Sequence, residues 1–152
     1  MTEIRTKPFR EAHLDIFHVA DSHRADCWAA AKQWHHLGSL LQAGSHMIDG
    51  RIVYISCFIP TTPGVVEVWM HPSIYVPQYK LAVIKHVKWW LQDVAERCNA
   101  RRIQTWGDTS AQSDRWLAYL GFKCEGVLQS FRPDGGPASV WSICKPSPAS
   151  LS

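Results

Sequence analysis

Hydrophobic positions along this chain keep two periods, and the points where one gives way to the other outline its elements. Glu3–Arg5 predicts a first strand and Glu11–Val19 a short helix. Asp21 or Ser22 can N-cap a helix through about Trp34, because Cys27, Ala30, Ala31 and Trp34 recur at helical spacing. The period then falls to two. Leu40–Met47 predicts a strand, Asp49-Gly50 a hairpin turn, and Arg51–Ile59 the partner strand, rich in Ile, Val, Tyr and Phe. Pro60–Gly64 turns the chain again. In a third strand, Val65–Met70, Val65, Glu67 and Trp69 face one way and Val66, Val68 and Met70 the other. Strands joined by such short turns make an antiparallel meander.

Beyond His71-Pro72 the helical period returns. A helix starts near Val76–Gln78, where Pro77 suits a first turn, and runs to about Cys98. Leu81, Ile84, Val87, Leu91, Val94, Ala95 and Cys98 mark its apolar stripe, and Asn99 its stop. Arg101–Trp106 is the next strand. Asp108, Thr109 and Ser110 can cap a helix over about Ala111–Leu120, which Gly121 ends. Phe122–Phe131 and Val140–Cys144 are strands across the turn Pro133-Asp134-Gly135-Gly136. The order predicts an α/β (α+β) fold: a mixed sheet in which an antiparallel meander is followed by strand, helix, strand, helix and hairpin, with helices on both faces.

Helix geometry also separates two adjacent tryptophans. Trp89 falls about 160° from the stripe's centre near Leu91 and Ile84, and Trp90 about 100°. Trp89 is therefore expected on the polar face, as a contact for self-association or a protein partner, or covered by the stem of Lys85.

Composition narrows the picture. With 152 residues and 46% hydrophobic content, residues 1–145 are expected to form one domain, followed by a flexible Pro/Ser/Ala tail over 146–152. No apolar run approaches a membrane span and Met1–Pro8 carry no signal segment, so a cytoplasmic location and no membrane partner are expected. A net charge of +3 without a reader motif argues against a nucleic-acid partner. The five cysteines are odd in number, widely spaced and without a C-x-x-C pair, which reads as reduced core thiols. Eight histidines show neither H-E-x-x-H nor zinc-finger spacing, so no metal site is expected.

The segment Trp116-Leu-Ala-Tyr-Leu-Gly-Phe-Lys-Cys-Glu-Gly-Val-Leu resembles the closing motif of the GNAT superfamily of N-acetyltransferases, in which a short helix ends in a Leu-Gly-Phe step and feeds a strand. Leu120-Gly121-Phe122 matches that step, and the element order from Leu40 to Cys144 matches the family's. The resemblance implies acetyl-CoA as cofactor and a small-molecule or protein amine as acceptor. It also implies that the third meander strand and the strand after the long helix run parallel and splay apart around the acyl-CoA. The cofactor's pyrophosphate would rest on free N–H groups at the long helix's N-terminus.

This sequence departs from the family there. The family's loop carries two glycines after an Arg or Gln, whereas here the stretch is Gln78-Tyr79-Lys80-Leu81-Ala82, with no glycine between Gly64 and Gly107. The N–H groups from Gln78 to Ala82 become the implied cofactor-binding positions, with charge from Lys80 in place of the glycine cradle. Acetyl-CoA binding is accordingly expected to be weaker than the family norm or absent. Glu67 lies on the strand where the family often keeps its base, and His71, just beyond it, is the reserve. The family's thiolate-protonating tyrosine position holds Leu117, and Tyr119 points about 200° away. Two readings follow: an acyl-CoA-dependent N-acetyltransferase with an atypical phosphate loop, or a catalytically inactive GNAT-like binding or structural protein of the bacteriophage virion type.

Overall fold

The computed structural model describes residues 3–19 and 42–145. The helix expected through Trp34 and the tail lie outside the described residues, as does the start of the strand expected from Leu40. The strands are β1 (Arg5–Pro8), β2 (Gln42–Ile48), β3 (Arg51–Thr62), β4 (Val65–Pro72), β5 (Arg102–Gly107), β6 (Lys123–Leu128) and β7 (Ala138–Cys144). They form one mixed sheet in the order β1-β2-β3-β4-β5-β7-β6. A long helix, Lys80–Arg97, joins β4 to β5, and a short helix, Ala111–Tyr119, follows β5. Residues Glu11–Ile16 form a 3₁₀ turn rather than an α-helix, and β3 runs on to Thr62, so the turn before β4 is tighter than the sequence suggests.

Contacts gather the chain into two compact units, Met1–Ile59 with Trp69–Val87, and Pro60–Val68 with Lys88–Ser152. In the first, β2 pairs antiparallel with both β1 and β3. Residues Ile52 to Phe58 of β3 are buried without a break, the mark of a strand covered on both faces. Leu14, Phe17, Ile52, Ile55 and Cys57 form a buried cluster. Asp49 and Gly50 turn the β2–β3 hairpin with φ of 50° and 75°, the left-handed pair that Asp-Gly accommodates.

In the second unit, β4 and β5 are parallel, as the family order requires, and β5 and β6 flank β7 antiparallel. The short helix begins on Ser110, whose hydroxyl accepts from the Ser113 N–H at 3.1 Å. It ends in a Schellman motif: Phe122 N–H donates to the Leu117 carbonyl (3.0 Å) and Gly121 N–H to that of Ala118 (3.1 Å). Gly121 supplies the left-handed φ of 100°. Leu117 and Phe122, both buried, are the apolar pair that accompanies such a stop. The Leu-Gly-Phe step is thus a helix terminator built into a strand entry.

The long helix corrects one expectation. Val83, Ile84, Val87, Trp90, Leu91, Val94 and Ala95 are its buried residues, whereas Leu81 is 81% exposed. At about 100° per residue the buried set centres near Val87 and leaves Leu81 about 120° away. A stripe centred on Leu91 and Ile84 takes in Leu81 and leaves out Val83. Trp89 stands outside at 55% exposure, as expected, and Trp90 is buried.

Candidate active site

Alternation on β4 and β5 puts Glu67 on a half-buried face. Val66 and Val68 are buried while Val65 and Glu67 are intermediate; across from them Ile103, Thr105 and Gly107 are buried while Arg102, Gln104 and Trp106 are intermediate. The parallel ladder pairs Val65 with Arg102, Val66 with Ile103 and Glu67 with Gln104, and stops there. At the next position the Thr105 hydroxyl donates to the Val68 carbonyl at 2.8 Å, a side chain taking the place of a main-chain bond. Glu67 is therefore the last residue of β4 within the ladder.

Its carboxylate is held from β5. Oε1 accepts from Gln104 Nε2 at 3.2 Å and from Trp106 Nε1 at 3.0 Å. Among the described residues no hydrogen bond is made to Oε2. The Gln104 amide cannot turn around, because its oxygen accepts from Arg102 Nε at 2.9 Å and a guanidinium only donates. Arg102 in turn forms a two-bond ion pair with Glu125 of β6. Its guanidinium is thereby anchored, and the Glu125 carboxyl is held below its ordinary range chiefly by the hydrogen bond from Arg102. One row of side chains, Glu125 to Arg102 to Gln104 to Glu67, fixes one carboxylate oxygen and leaves the other open.

Beyond Glu67, the Trp106 indole stacks on Phe131, with ring centroids 4.6 Å apart and planes 18° from parallel. Leu117, on the short helix, is buried and carries no proton to give. Tyr119 is 61% exposed, with the Lys88 ammonium 5.0 Å above its ring.

The other expected site residues belong to the first unit. His71 is half-buried near the end of β4. A 3₁₀ turn, Val76–Tyr79, runs directly into the long helix at Lys80. The Gln78 N–H donates to the Tyr75 carbonyl at 3.1 Å and is already engaged. The Gln78 side chain accepts from Arg51 (3.4 Å), and the Tyr79 hydroxyl donates to Asp49 Oδ2 (3.3 Å). Lys80 and Leu81 are exposed and Ala82 is half-buried. The α-helix begins at Lys80 directly on this turn, with the Lys80 side chain exposed at its start. Among the described residues no cluster of His, Cys, Asp or Glu could hold a metal ion, and no helix is long and apolar enough to cross a membrane.

A second polar cluster in the same unit was missed from sequence. Thr6, His46 and Tyr54 lie opposite one another across β1, β2 and β3. His46 stacks on Tyr54 with centroids 3.9 Å apart. His46 Nε2 meets Ser56 Oγ at 2.7 Å and its Nδ1 meets Thr6 Oγ1 at 2.8 Å. From the long helix, His86 Nδ1 meets the Tyr54 hydroxyl at 2.6 Å and its Nε2 reaches Thr6 at 3.5 Å. Burial, with a smaller contribution from His86, lowers the His46 pKa to about 3; burial likewise lowers that of His86 and raises that of Tyr54. With both imidazoles neutral, each gives one N–H and accepts one bond. All four bonds can then run in one sense, from Tyr54 toward Ser56 or back.

No family model and no curated protein matches the sequence. Solved structures match the fold. A proposed acetyltransferase from T. thermophilus is 22% identical with a TM-score of 0.72, covering 94% of this chain and 86% of that one. The microcin C7 self-immunity acetyltransferase MccE, solved with acetyl-CoA and AMP, is 13% identical with a TM-score of 0.70, covering 94% and 93%. A Bacillus subtilis acetyltransferase in complex with CoA is 12% identical with a TM-score of 0.69, covering 96% and 100%. The chain has the fold of the GNAT acetyltransferases.

Proposed function

We propose that this protein is an acyl-CoA-dependent N-acetyltransferase in which Glu67 takes the proton from the acceptor amine. The observation that carries this reading is the Glu67 carboxylate, oriented through Oε1 by Gln104 and Trp106 at the end of the parallel β4–β5 ladder, with Oε2 open. A base fixed through one oxygen and open through the other is pre-oriented for proton abstraction. Acetyl-CoA supplies the activated acyl group; the main-chain N–H groups of Lys80–Ala82 and the Lys80 ammonium would hold its phosphates. Leu117 has no proton to give, so protonation of a departing thiolate would fall to solvent water. His71 is the reserve base.

The second reading, a GNAT-fold binding or structural module without catalysis, is favoured by two positions, the buried Leu117 and the exposed Leu81. Calorimetry with acetyl-CoA separates the two. The enzyme reading expects binding that Lys80→Ala weakens about three- to tenfold, the range for one charge-assisted phosphate contact at a surface. Absence of acetyl-CoA binding to the wild type favours the module, and tight binding indifferent to Lys80→Ala removes side-chain charge as the substitute for glycine.

A further inference from the structure

We infer that the acceptor is an arylalkylamine, its aromatic ring lying against the Trp106–Phe131 pair and its ammonium on the open Oε2 of Glu67. This rests on the reading of Glu67 as the base that meets the acceptor, and adds what the rest of the acceptor must be. The indole N–H of Trp106 is bonded to Glu67, so the carboxylate and the aromatic surface adjoin and one ligand of modest length can touch both. Phe131 is 51% exposed although stacked on Trp106, which leaves apolar ring surface open to a ligand.

The loop carrying Phe131 is closed upon itself. Phe131 and Arg132 N–H groups both donate to the Gly136 carbonyl at 3.0 Å, and Gly135 N–H donates to the Arg132 carbonyl at 2.8 Å. Asp134 accepts from the Gly136 N–H at 2.9 Å and pairs with Arg132, also at 2.9 Å. Gly135, at a φ of 83°, permits the turn. The ring is thus set in place before a ligand arrives, which lowers the ordering penalty of binding.

Charge selects the other end. Arg102 is paired with Glu125 and Arg132 with Asp134, so both nearby guanidiniums are neutralised. Among the described residues Glu67 makes hydrogen bonds only to the neutral donors of Gln104 and Trp106, and no ion pair. An anionic acceptor would meet the Glu67 carboxylate and two guanidiniums that are already paired. An aliphatic monoamine satisfies the carboxylate and leaves the aromatic pair wet. An arylalkylamine satisfies both, through an ion pair and a ring contact.

The test is calorimetric binding of 2-phenylethylamine and of propylamine to the full chain, without acyl-CoA, so that it reads the acceptor site whether or not transfer occurs. Wild type is expected to bind 2-phenylethylamine roughly tenfold more tightly than propylamine, the upper range for one aromatic contact. Phe131→Ala should abolish that preference, and Glu67→Gln should weaken both amines. Should Phe131→Ala misfold, saturation-transfer NMR on wild type serves instead: transfer concentrated on the phenyl protons supports the inference, and transfer absent there overturns it. Equal affinity for the two amines, or a preference surviving in folded Phe131→Ala, also overturns it. A preference seen with no acetyl transfer refutes the enzyme reading and leaves the ring site standing.

Discussion

Lowering the pH from 7 to 4 should remove roughly 3 kcal/mol of folding stability through His46 alone, and about 4 kcal/mol by pH 3. His46 is 1% exposed, and its folded pKa is lowered to about 3, first by burial and then by His86, against an ordinary value of 6.5. Above pH 7 neither the folded nor the unfolded chain protonates this imidazole, so the group is neutral to stability. As pH falls through 6.5 the unfolded chain takes a proton that the folded chain refuses until about pH 3. Unfolding therefore becomes easier throughout that window and the effect levels off below it. His86, shifted the same way, adds to the loss. Denaturant titrations at intervals from pH 7.5 to 3.5 should show a slope close to one proton steeper in wild type than in His46→Gln, which keeps a polar group at the position and cannot titrate. Matching slopes would mean that His46 is hydrated and ordinary.

Glu67→Gln is expected to lower kcat for acetyl transfer about a hundredfold or more, the range for losing a general base, with the fold intact. The substitution suits the site because an amide oxygen can still accept from Gln104 and Trp106, while its NH₂ replaces the open Oε2. What is lost is basicity, with little change of shape. Trp106→Phe makes the companion: it keeps a ring to stack on Phe131 and removes one of the two bonds that aim the carboxylate. Its effect should be smaller and fall mainly on kcat. Unchanged turnover in Glu67→Gln would pass the role of base to His71.

Local signals were legible in the sequence. Asp49-Gly50, a helix cap among Asp108, Thr109 and Ser110, which the structure assigns to Ser110, and the Leu120-Gly121-Phe122 stop each act within a few residues. The parallel partnership of β4 and β5 followed from element order. What sequence could not give was register. Counting outward from the tight turn pairs Ile48 with Arg51 and Met47 with Ile52, and would set Val53 opposite His46. A bulge after Ile52 moves Tyr54 there instead and creates the stacked, hydrogen-bonded pair. The partners of Glu67 were hidden for a related reason. Gln104 and Trp106 are distant in sequence and meet it only because β4 and β5 pair Glu67 with Gln104. Leu81 shows the limit of periodicity at a helix start, where a 3₁₀ turn precedes the first α-helical residue and the stripe is centred from the interior outward.

Acyl transfer is tested most directly by incubating the purified full chain with acetyl-CoA and a primary amine, following free thiol and acetylated amine together. The enzyme reading predicts thiol release that depends on the amine and equals the acetylamine formed, since one thioester bond breaks for each amide bond made. A folded chain that releases no thiol above the background without protein, across aromatic and aliphatic amines alike, would contradict it and leave the GNAT fold here as a binding module.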